Sequence, residues 1–244
     1  MIIWSKVALI SLLTINLGGT VSQDKPHPQP LSLSRKGELE FNLSHPYAVV
    51  SKGELKSNRI QAERLSEAAL KQYKVNKFSQ AIELWQQALK IYLNLDDKQA
   101  TISTLKSLIA TTQKIQDYSA SINYLKQYLA LTRELKDKPG EISALINLAK
   151  TYARLGKFTK AALDYQQVLV LVRESKNKPQ EAIILGNLAI AYKTLGNYAQ
   201  AIKANQQSLK IIQELGNHKN EAKVLNNLGN TYEALGDYEK AIAS

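Results

Sequence analysis

The sequence has no cysteine, and this absence removes several kinds of chemistry at once. Disulfide bonds, thiolate metal sites, a cysteine nucleophile and a lipidated N-terminal cysteine are all excluded. Histidine is nearly as scarce, with only His27, His45 and His218. The sequence also lacks an HExxH motif, a GxxxxGK phosphate loop and a glycine-flanked serine elbow. We therefore predict that the protein is not an enzyme and uses no cofactor or metal ion.

Acidic residues are the next shortage, with 21 Asp and Glu against 32 Lys and Arg and a formal net charge of +11. Lysines such as Lys136 and Lys138 are scattered and have Glu134 and Glu141 close by, which is typical of a solvated surface. Nucleic-acid binding would need a stripe of cations interleaved with stacking aromatics, whereas the aromatic residues here fall at packing positions. We expect no nucleic-acid partner, and attraction to an acidic partner is left open.

What the sequence does contain is a long repeat. The segments NLAKTYARLGKFTKA, NLAIAYKTLGNYAQA and NLGNTYEALGDYEKA begin at Asn147, Asn187 and Asn227, which are 40 residues apart. Equal spacing of whole patterns indicates repeated structural units. The chain is therefore predicted to be a repeat protein.

Each unit predicts a pair of helices. Leu185, Leu188 and Tyr192 share one helical stripe, and Gly196 stands where the first helix would end in a left-handed residue. Asn197 is the predicted N-cap of the second helix. Because one hairpin cannot bury both of its apolar stripes, the units must stack. The predicted fold class is all-α, an α-solenoid of stacked antiparallel helical hairpins.

Three segments are expected along the chain. Residues 1–22 have the layout of a secretory signal peptide, with Lys6 before an apolar run from Val7 to Leu17. Residues 23–59 are rich in proline and serine and predict a disordered linker. Residues 60–244 predict four repeats and a truncated fifth. The signal predicts export to a bacterial periplasm or cell envelope, with contact with a membrane only during export; a cytoplasmic location is the alternative.

The repeats vary along the array. The first two units are less regular than the later three, with Asn76 and Gln116 near the positions where later units have the turn glycine. The last unit stops at Ser244, early in its second helix. Two interpretations follow: the chain is a piece of a longer protein, or this end docks onto another copy or another subunit.

With Leu, Ala and Tyr in the first helix, then Leu-Gly, then an aromatic residue and an alanine, the units resemble tetratricopeptide repeats. The 40-residue period is similar to the longer variant found in kinesin light chains and in many bacterial scaffolds. The resemblance implies a right-handed superhelix whose first helices line a concave groove that holds a peptide. It covers residues 60–244 and is most specific in the last three units.

The resemblance also implies which residues would line that groove. Asparagines at one recurring position of the first helix would contact the backbone of a bound peptide, and further polar and basic residues lie on the same helix face. These predicted groove residues are Asn147, Asn187, Asn227, Lys150, Arg154, Lys193, Lys223, Asn226 and Asn230. The alternative role for the asparagines is to tie the first helix to the adjacent unit, and the alternative for each lysine is simple solvation. Such a basic lining would favour an acidic ligand or a C-terminal carboxylate.

The function that these features predict is a non-catalytic scaffold or adaptor that holds a peptide or partner segment in its groove. The alternative is an N-terminal sensor or regulatory part of a larger protein that carries a caspase-like effector domain.

Overall fold

The computed structural model describes residues 51–243, and all regular structure in this range is α-helical. The helices are α1 (Lys52–Lys74), α2 (Phe78–Asn94), α3 (Lys98–Lys114), α4 (Tyr118–Glu134), α5 (Lys138–Arg154), α6 (Phe158–Glu174), α7 (Lys178–Thr194), α8 (Tyr198–Glu214), α9 (His218–Leu235) and α10 (Tyr238–Ile242). Consecutive helices pack against each other along the whole range. The predicted all-α solenoid of antiparallel hairpins is confirmed.

The local structural period is half of the sequence period. From α2 onward each helix begins 20 residues after the previous one, and α2 to α8 are each 17 residues long. In each repeat the first helix (α1, α3, α5, α7 or α9) is followed by a second helix (α2, α4, α6, α8 or α10). The 40-residue repeat in the sequence therefore arises because first and second helices alternate in their residues, while every turn has the same geometry.

That common turn is a left-handed residue followed by a backbone hydrogen bond that closes the helix end. Gly196 has φ +75° as predicted, and the amide of Asn197 donates to the carbonyl of Tyr192 at 2.9 Å. Asn76 and Gln116 adopt the same left-handed conformation, with φ of 59° and 61°. The early units therefore form regular turns without glycine, and their irregularity is confined to the sequence.

The helix starts agree with the sequence in most places but not in all. Pro139 and Pro179 lie in the first turns of α5 and α7, where a missing amide hydrogen costs nothing. Asp137 caps α5 through its side chain, which accepts from the amide of Gly140 at 3.0 Å. Asn197 occupies the N-cap position of α8, but its side chain makes no capping hydrogen bond. The predicted N-cap position of Asn197 is therefore confirmed, without the side-chain hydrogen bond that usually accompanies it.

The first helix also begins earlier than the predicted boundary at residue 60. α1 starts at Lys52, and Ser51 caps it by accepting from the amide of Glu54 at 3.2 Å. A serine followed three residues later by glutamate is the signature of such a start. The predicted signal peptide and the linker up to residue 50 lie outside the described residues. Within residues 51–243, no helix has both the length and the apolar character needed to cross a membrane.

The core runs as a seam between the helices. Leu105, Leu145 and Leu185 occupy equivalent positions in three first helices and are each 1% exposed. Ala149, Ala161, Ala189 and Ala201, the small residues where two helices meet, are also buried. Each fully buried leucine contributes about 2 kcal/mol through removal of apolar surface from water. Burial therefore continues from repeat to repeat through α2 to α8, as expected of a solenoid, whereas α1 buries only Ala62 and Ala69 and α10 buries no residue.

Candidate functional site

One side of the first helices remains accessible after the helices stack. We define the first-helix face by six recurring positions that fall on one side of a helix and are exposed or half-buried in residues 51–243. In α3 these are Ser103, Lys106, Ser107, Ala110, Gln113 and Lys114, and the equivalents in α5, α7 and α9 are 40, 80 and 120 residues further on. Neighbouring first helices meet at this face, since Gln113 Nε2 lies 3.4 Å from Thr151 Oγ1 and α7 contacts α9.

The first-helix face is strongly asymmetric in charge. It carries six cationic side chains, Lys106, Lys114, Lys150, Arg154, Lys193 and Lys223, and a single carboxylate at Glu233. Glu141, Glu181 and Glu221 lie in the first turns of α5, α7 and α9, away from these positions, and each is hydrogen-bonded at the junction between repeats. The face is therefore a basic strip, and its one acidic residue lies in α9.

All nine predicted groove residues lie on this face, and their side chains are held to different degrees. Asn147 Nδ2 donates to the carbonyl of Ser143 at 2.9 Å, a bond within α5 and not to another repeat. Asn187 and Asn227 are half-buried, and their side chains form no hydrogen bond with any residue of 51–243. These two amides keep their donor and acceptor groups available to a ligand.

The basic residues of the face also differ in their surroundings. The Arg154 guanidinium lies 5.9 Å from the centre of the Tyr118 ring, and Lys106 Nζ lies 5.4 Å from that of Tyr128. Such cation–π contacts orient a side chain while leaving its charge intact. Lys150 and Lys223 are exposed, and neither has an ion-pair partner among the described residues.

Sequence reasoning missed an apolar part of this face in α7. Ile183 and Ile190 are 59% and 45% exposed, and Gly186 lies between them. The equivalents of Ile183 are Ser103, Ser143 and Lys223. A comparison of the four repeats at this position would have revealed the isoleucine as unusual, because the other repeats do not need an apolar residue there for packing.

The junctions between repeats carry a recurring polar contact that fixes how adjacent hairpins meet. Arg133 Nε donates to Glu141 Oε1 at 2.8 Å, and Arg173 Nε donates to Glu181 Oε1 at 2.7 Å. In the next junction Gln213 takes the place of the arginine and donates to Glu221 at 2.8 Å. Burial by itself would raise the pKa of Glu181, but hydrogen bonds from Arg173 and Lys178 outweigh it and lower that pKa.

One carboxyl group in α6 has the opposite behaviour. Asp164 is half-buried, its Oδ2 is buried, and this atom has no hydrogen-bond partner among the described residues. Burial raises the pKa of Asp164 from 3.8 to about 6, although the positive charges of Arg133 and Lys126 act against the rise. Asp164 lies on a second helix and is not part of the first-helix face. Its titration therefore affects the stability of the fold and not the proposed binding surface.

A cleft of about 270 Å³ lies on the other side of the stack, between α6, α7 and α8. Its walls include Gln166, Tyr192, Lys203 and Ala204. Gln166 Nε2 donates to the Tyr192 hydroxyl at 2.6 Å. Ala204, in the wall of this cleft, is equivalent to the larger Tyr124 and Asp164 in earlier repeats. In residues 51–243, no group of three or more His, Asp or Glu is arranged to hold a metal ion.

Stacked 40-residue helical hairpins with one accessible first-helix side define an α-solenoid repeat protein. The family model for the tetratricopeptide repeat matches residues 105–174 and 180–244, which together make up more than half of the chain. The chain therefore belongs to the tetratricopeptide repeat family. A search of curated proteins found no match.

Solved structures with the same fold are similar at low sequence identity. BtubC (BKLC) from P. vanneervenii is 20% identical with a TM-score of 0.60, and the match covers 78% of this chain and 87% of BtubC. A Podospora anserina protein of nearly identical tetratricopeptide-like repeats is 18% identical with a TM-score of 0.62, covering 76% of this chain and 92% of that protein. The apo form of RapI is 16% identical with a TM-score of 0.67, covering 76% of this chain and 52% of RapI. These identities establish the shared fold alone.

Proposed function

We propose that this protein is a non-catalytic adaptor that holds a peptide or an extended segment of a partner protein on its first-helix face. The observation that carries the proposal is the pair of half-buried asparagines, Asn187 and Asn227, whose amide groups have no intramolecular hydrogen bond within residues 51–243. An amide that can donate and accept at once suits a peptide backbone regardless of its side chains.

The charge of the face supports an acidic partner. Six cations and one carboxylate line the face, so an approaching acidic segment would be attracted and a basic one repelled. Exposed cations of this kind act mainly on the association rate, and their effect weakens as salt screens them. Binding is therefore expected to decrease between low and physiological salt without disappearing, because the asparagine contacts are not ionic.

The strength of binding follows from the number of contacts. A hydrogen bond contributes about 1 kcal/mol net, and a few such bonds with a buried apolar anchor, less the cost of ordering the peptide, give a Kd of about micromolar. Micromolar affinity is that of a reversible docking module.

The test is the double substitution Asn187→Ala with Asn227→Ala. Loss of two hydrogen bonds at about 1 kcal/mol each should weaken partner binding about thirty-fold. Helicity and the melting temperature should stay nearly unchanged, because neither side chain bonds to the rest of residues 51–243. Asn123→Ala, at an exposed asparagine of the second helix α4, is the control and should leave binding intact. If the double variant unfolds, the asparagines are structural and the proposal loses its main support.

We also propose that the protein is exported to a bacterial cell envelope. The support is the sequence of residues 1–22, in which Lys6 precedes an apolar run and small residues follow. The mass of the protein recovered from an envelope fraction tests this. A mature N-terminus at residue 23 is expected, and a full-length cytoplasmic product would contradict it.

A further inference from the structure

The α7 segment of the first-helix face has a glycine that the fold does not require. Gly186 lies in the middle of a 17-residue helix, where glycine is less favourable than alanine because it loses more conformational freedom on folding. Apart from the adjoining residues and the backbone of its own helix, no atom would lie within 4 Å of a Cβ atom added at Gly186. The backbone there does not adopt a positive φ either.

The other repeats show that this position tolerates a side chain. Lys106, Ile146 and Asn226 stand at the equivalent positions of α3, α5 and α9. Packing between repeats therefore gives no reason for the glycine in α7. Its effect is local: it leaves a gap on the surface of α7 between two side chains.

Those two side chains are the exposed isoleucines of α7. Ile183, Gly186 and Ile190 are spaced so that they follow one another along one side of the helix. Because both isoleucines are about half exposed, they form apolar walls on either side of a backbone stretch without a side chain. Asn187 is the next residue after the gap, so a polar group that can bond to a peptide backbone lies beside it.

The charges around this gap select the kind of occupant. Lys150 is the equivalent of Ile190 in α5, and Lys223 is the equivalent of Ile183 in α9. The neighbouring first helices therefore place a cation on each side of the apolar pair. No acidic residue occupies the first-helix face in α3, α5 or α7.

We propose that the α7 gap, defined by Ile183, Gly186 and Ile190, accepts a large apolar side chain of a partner peptide whose flanking residues are acidic. The apolar side chain contacts the two isoleucines over the glycine, and the flanking carboxylates lie near Lys150 and Lys223. This inference rests on the proposed function and specifies the ligand of the same face.

The matched control for this site is on the opposite side of the stack. Leu163 and Val170 in α6 are 54% and 57% exposed, much as Ile183 and Ile190 are. They too are seven residues apart on one helix. Lys203 and Lys210 stand at the equivalent positions of the neighbouring second helix α8, so this second pair also has cations nearby. It therefore reports what exposed apolar side chains do away from the first-helix face and without a glycine between them.

The experiment selects peptides from a random twelve-residue display library on the full-length chain and measures the affinity of the recovered peptides by fluorescence anisotropy. We expect recovered peptides to share a large apolar residue with Asp or Glu on both sides. Gly186→Leu should weaken their binding at least ten-fold, because the new side chain fills the gap. The melting temperature of Gly186→Leu should equal or exceed that of the wild type, since leucine is the better helix former. The double variant Leu163→Ser with Val170→Ser should bind as the wild type does.

Two results would overturn the inference and can be told apart from failure of the proposed function. The first result is peptides that bind Gly186→Leu as tightly as the wild type. The second is peptides that lack the acidic and apolar signature but still require Asn187 and Asn227. Either result would show that the α7 gap is not a binding site, while the proposed adaptor function would stand. Recovery of no binding peptide at all would contradict both.

Discussion

The carboxyl group of Asp164 gives the stability of this protein a pH dependence that can be worked out from the structure. Its unfolded carboxyl loses a proton near pH 3.8, whereas burial raises the pKa in the folded protein to about 6. Between these two values the folded state holds a proton that the unfolded state has released. The free energy of unfolding therefore falls as the pH rises from about 4 to about 7.

Asp164→Asn removes this titration while keeping the size of the side chain. In a fully buried site a rise from 3.8 to about 6 would correspond to about 3 kcal/mol at neutral pH. Because Asp164 is only half-buried and faces the charges of Arg133 and Lys126, solvent screening reduces the expected gain for Asp164→Asn to about 1 kcal/mol. At pH 4 the gain should shrink to a few tenths of a kcal/mol at most, since Asp164 is then neutral in the folded protein and about four-tenths neutral in the unfolded one.

Urea unfolding followed by circular dichroism at pH 4 and pH 8 measures both quantities. With a denaturant slope of about 2 kcal/mol per molar, the variant's midpoint should lie about 0.5 M above that of the wild type at pH 8. Glu181→Gln is the control of opposite sign, because the pKa of Glu181 is lowered in the folded state. That substitution should destabilise the protein at pH 8, and the loss should shrink as the pH falls below 4.5. A gain for Asp164→Asn that is the same at both pH values would show that the titration of Asp164 does not cause it.

Three further substitutions test the turns and the core. Gln116→Gly should raise the free energy of unfolding by about 0.5 to 1 kcal/mol, because residue 116 has φ +61° and glycine adopts this conformation without strain; Gly196→Ala should lower it by about 1 kcal/mol for the converse reason. A loss for Gln116→Gly in urea unfolding would contradict this account of the turns. Leu185→Ala should cost 2 to 5 kcal/mol, since Leu185 is 1% exposed and its removal leaves a cavity. A cost below 1 kcal/mol in the same assay would mean that the seam collapses around the missing side chain.

The overall fold could be predicted from the sequence because the same helix and turn pattern occurs in several repeats. Three copies of one pattern gave the positions of both helices and of the turn at Gly196. The prolines at 139 and 179 could be assigned to first turns because proline has few other places in a helix. Each of these inferences depends on backbone chemistry within a few residues.

Local features with weak or competing signals were harder to predict. The start of α1 was missed because residues 51–57 are all exposed and show no apolar period, although the Ser51 and Glu54 capping pair was visible in the sequence. Asn197 is the N-cap residue as predicted, but it lacks the capping hydrogen bond, because residue type alone does not decide whether a side chain reaches the amides of the first turn. The turns at Asn76 and Gln116 formed without glycine because the hairpin packing on both sides holds them.

The candidate site, like the fold, could be predicted only in part. The resemblance to tetratricopeptide repeats implied that the asparagines and cations share one helix face, and they do share it in the structure. The α7 gap could not be found in this way, because Ile183 and Ile184 are adjacent and a helical period read from one repeat does not say which of them is buried. In the structure Ile184 is 1% exposed and Ile183 is 59% exposed.

Site-specific photo-cross-linking to a bound peptide shows directly which side of the stack holds the partner. Benzoylphenylalanine would replace either Lys150, on the first-helix face, or Val170, which is exposed on α6. A peptide selected on the wild-type protein should be captured at position 150 and not at position 170. Capture at position 170 alone would show that the partner binds the second helices, and the account given for the first-helix face would then be wrong.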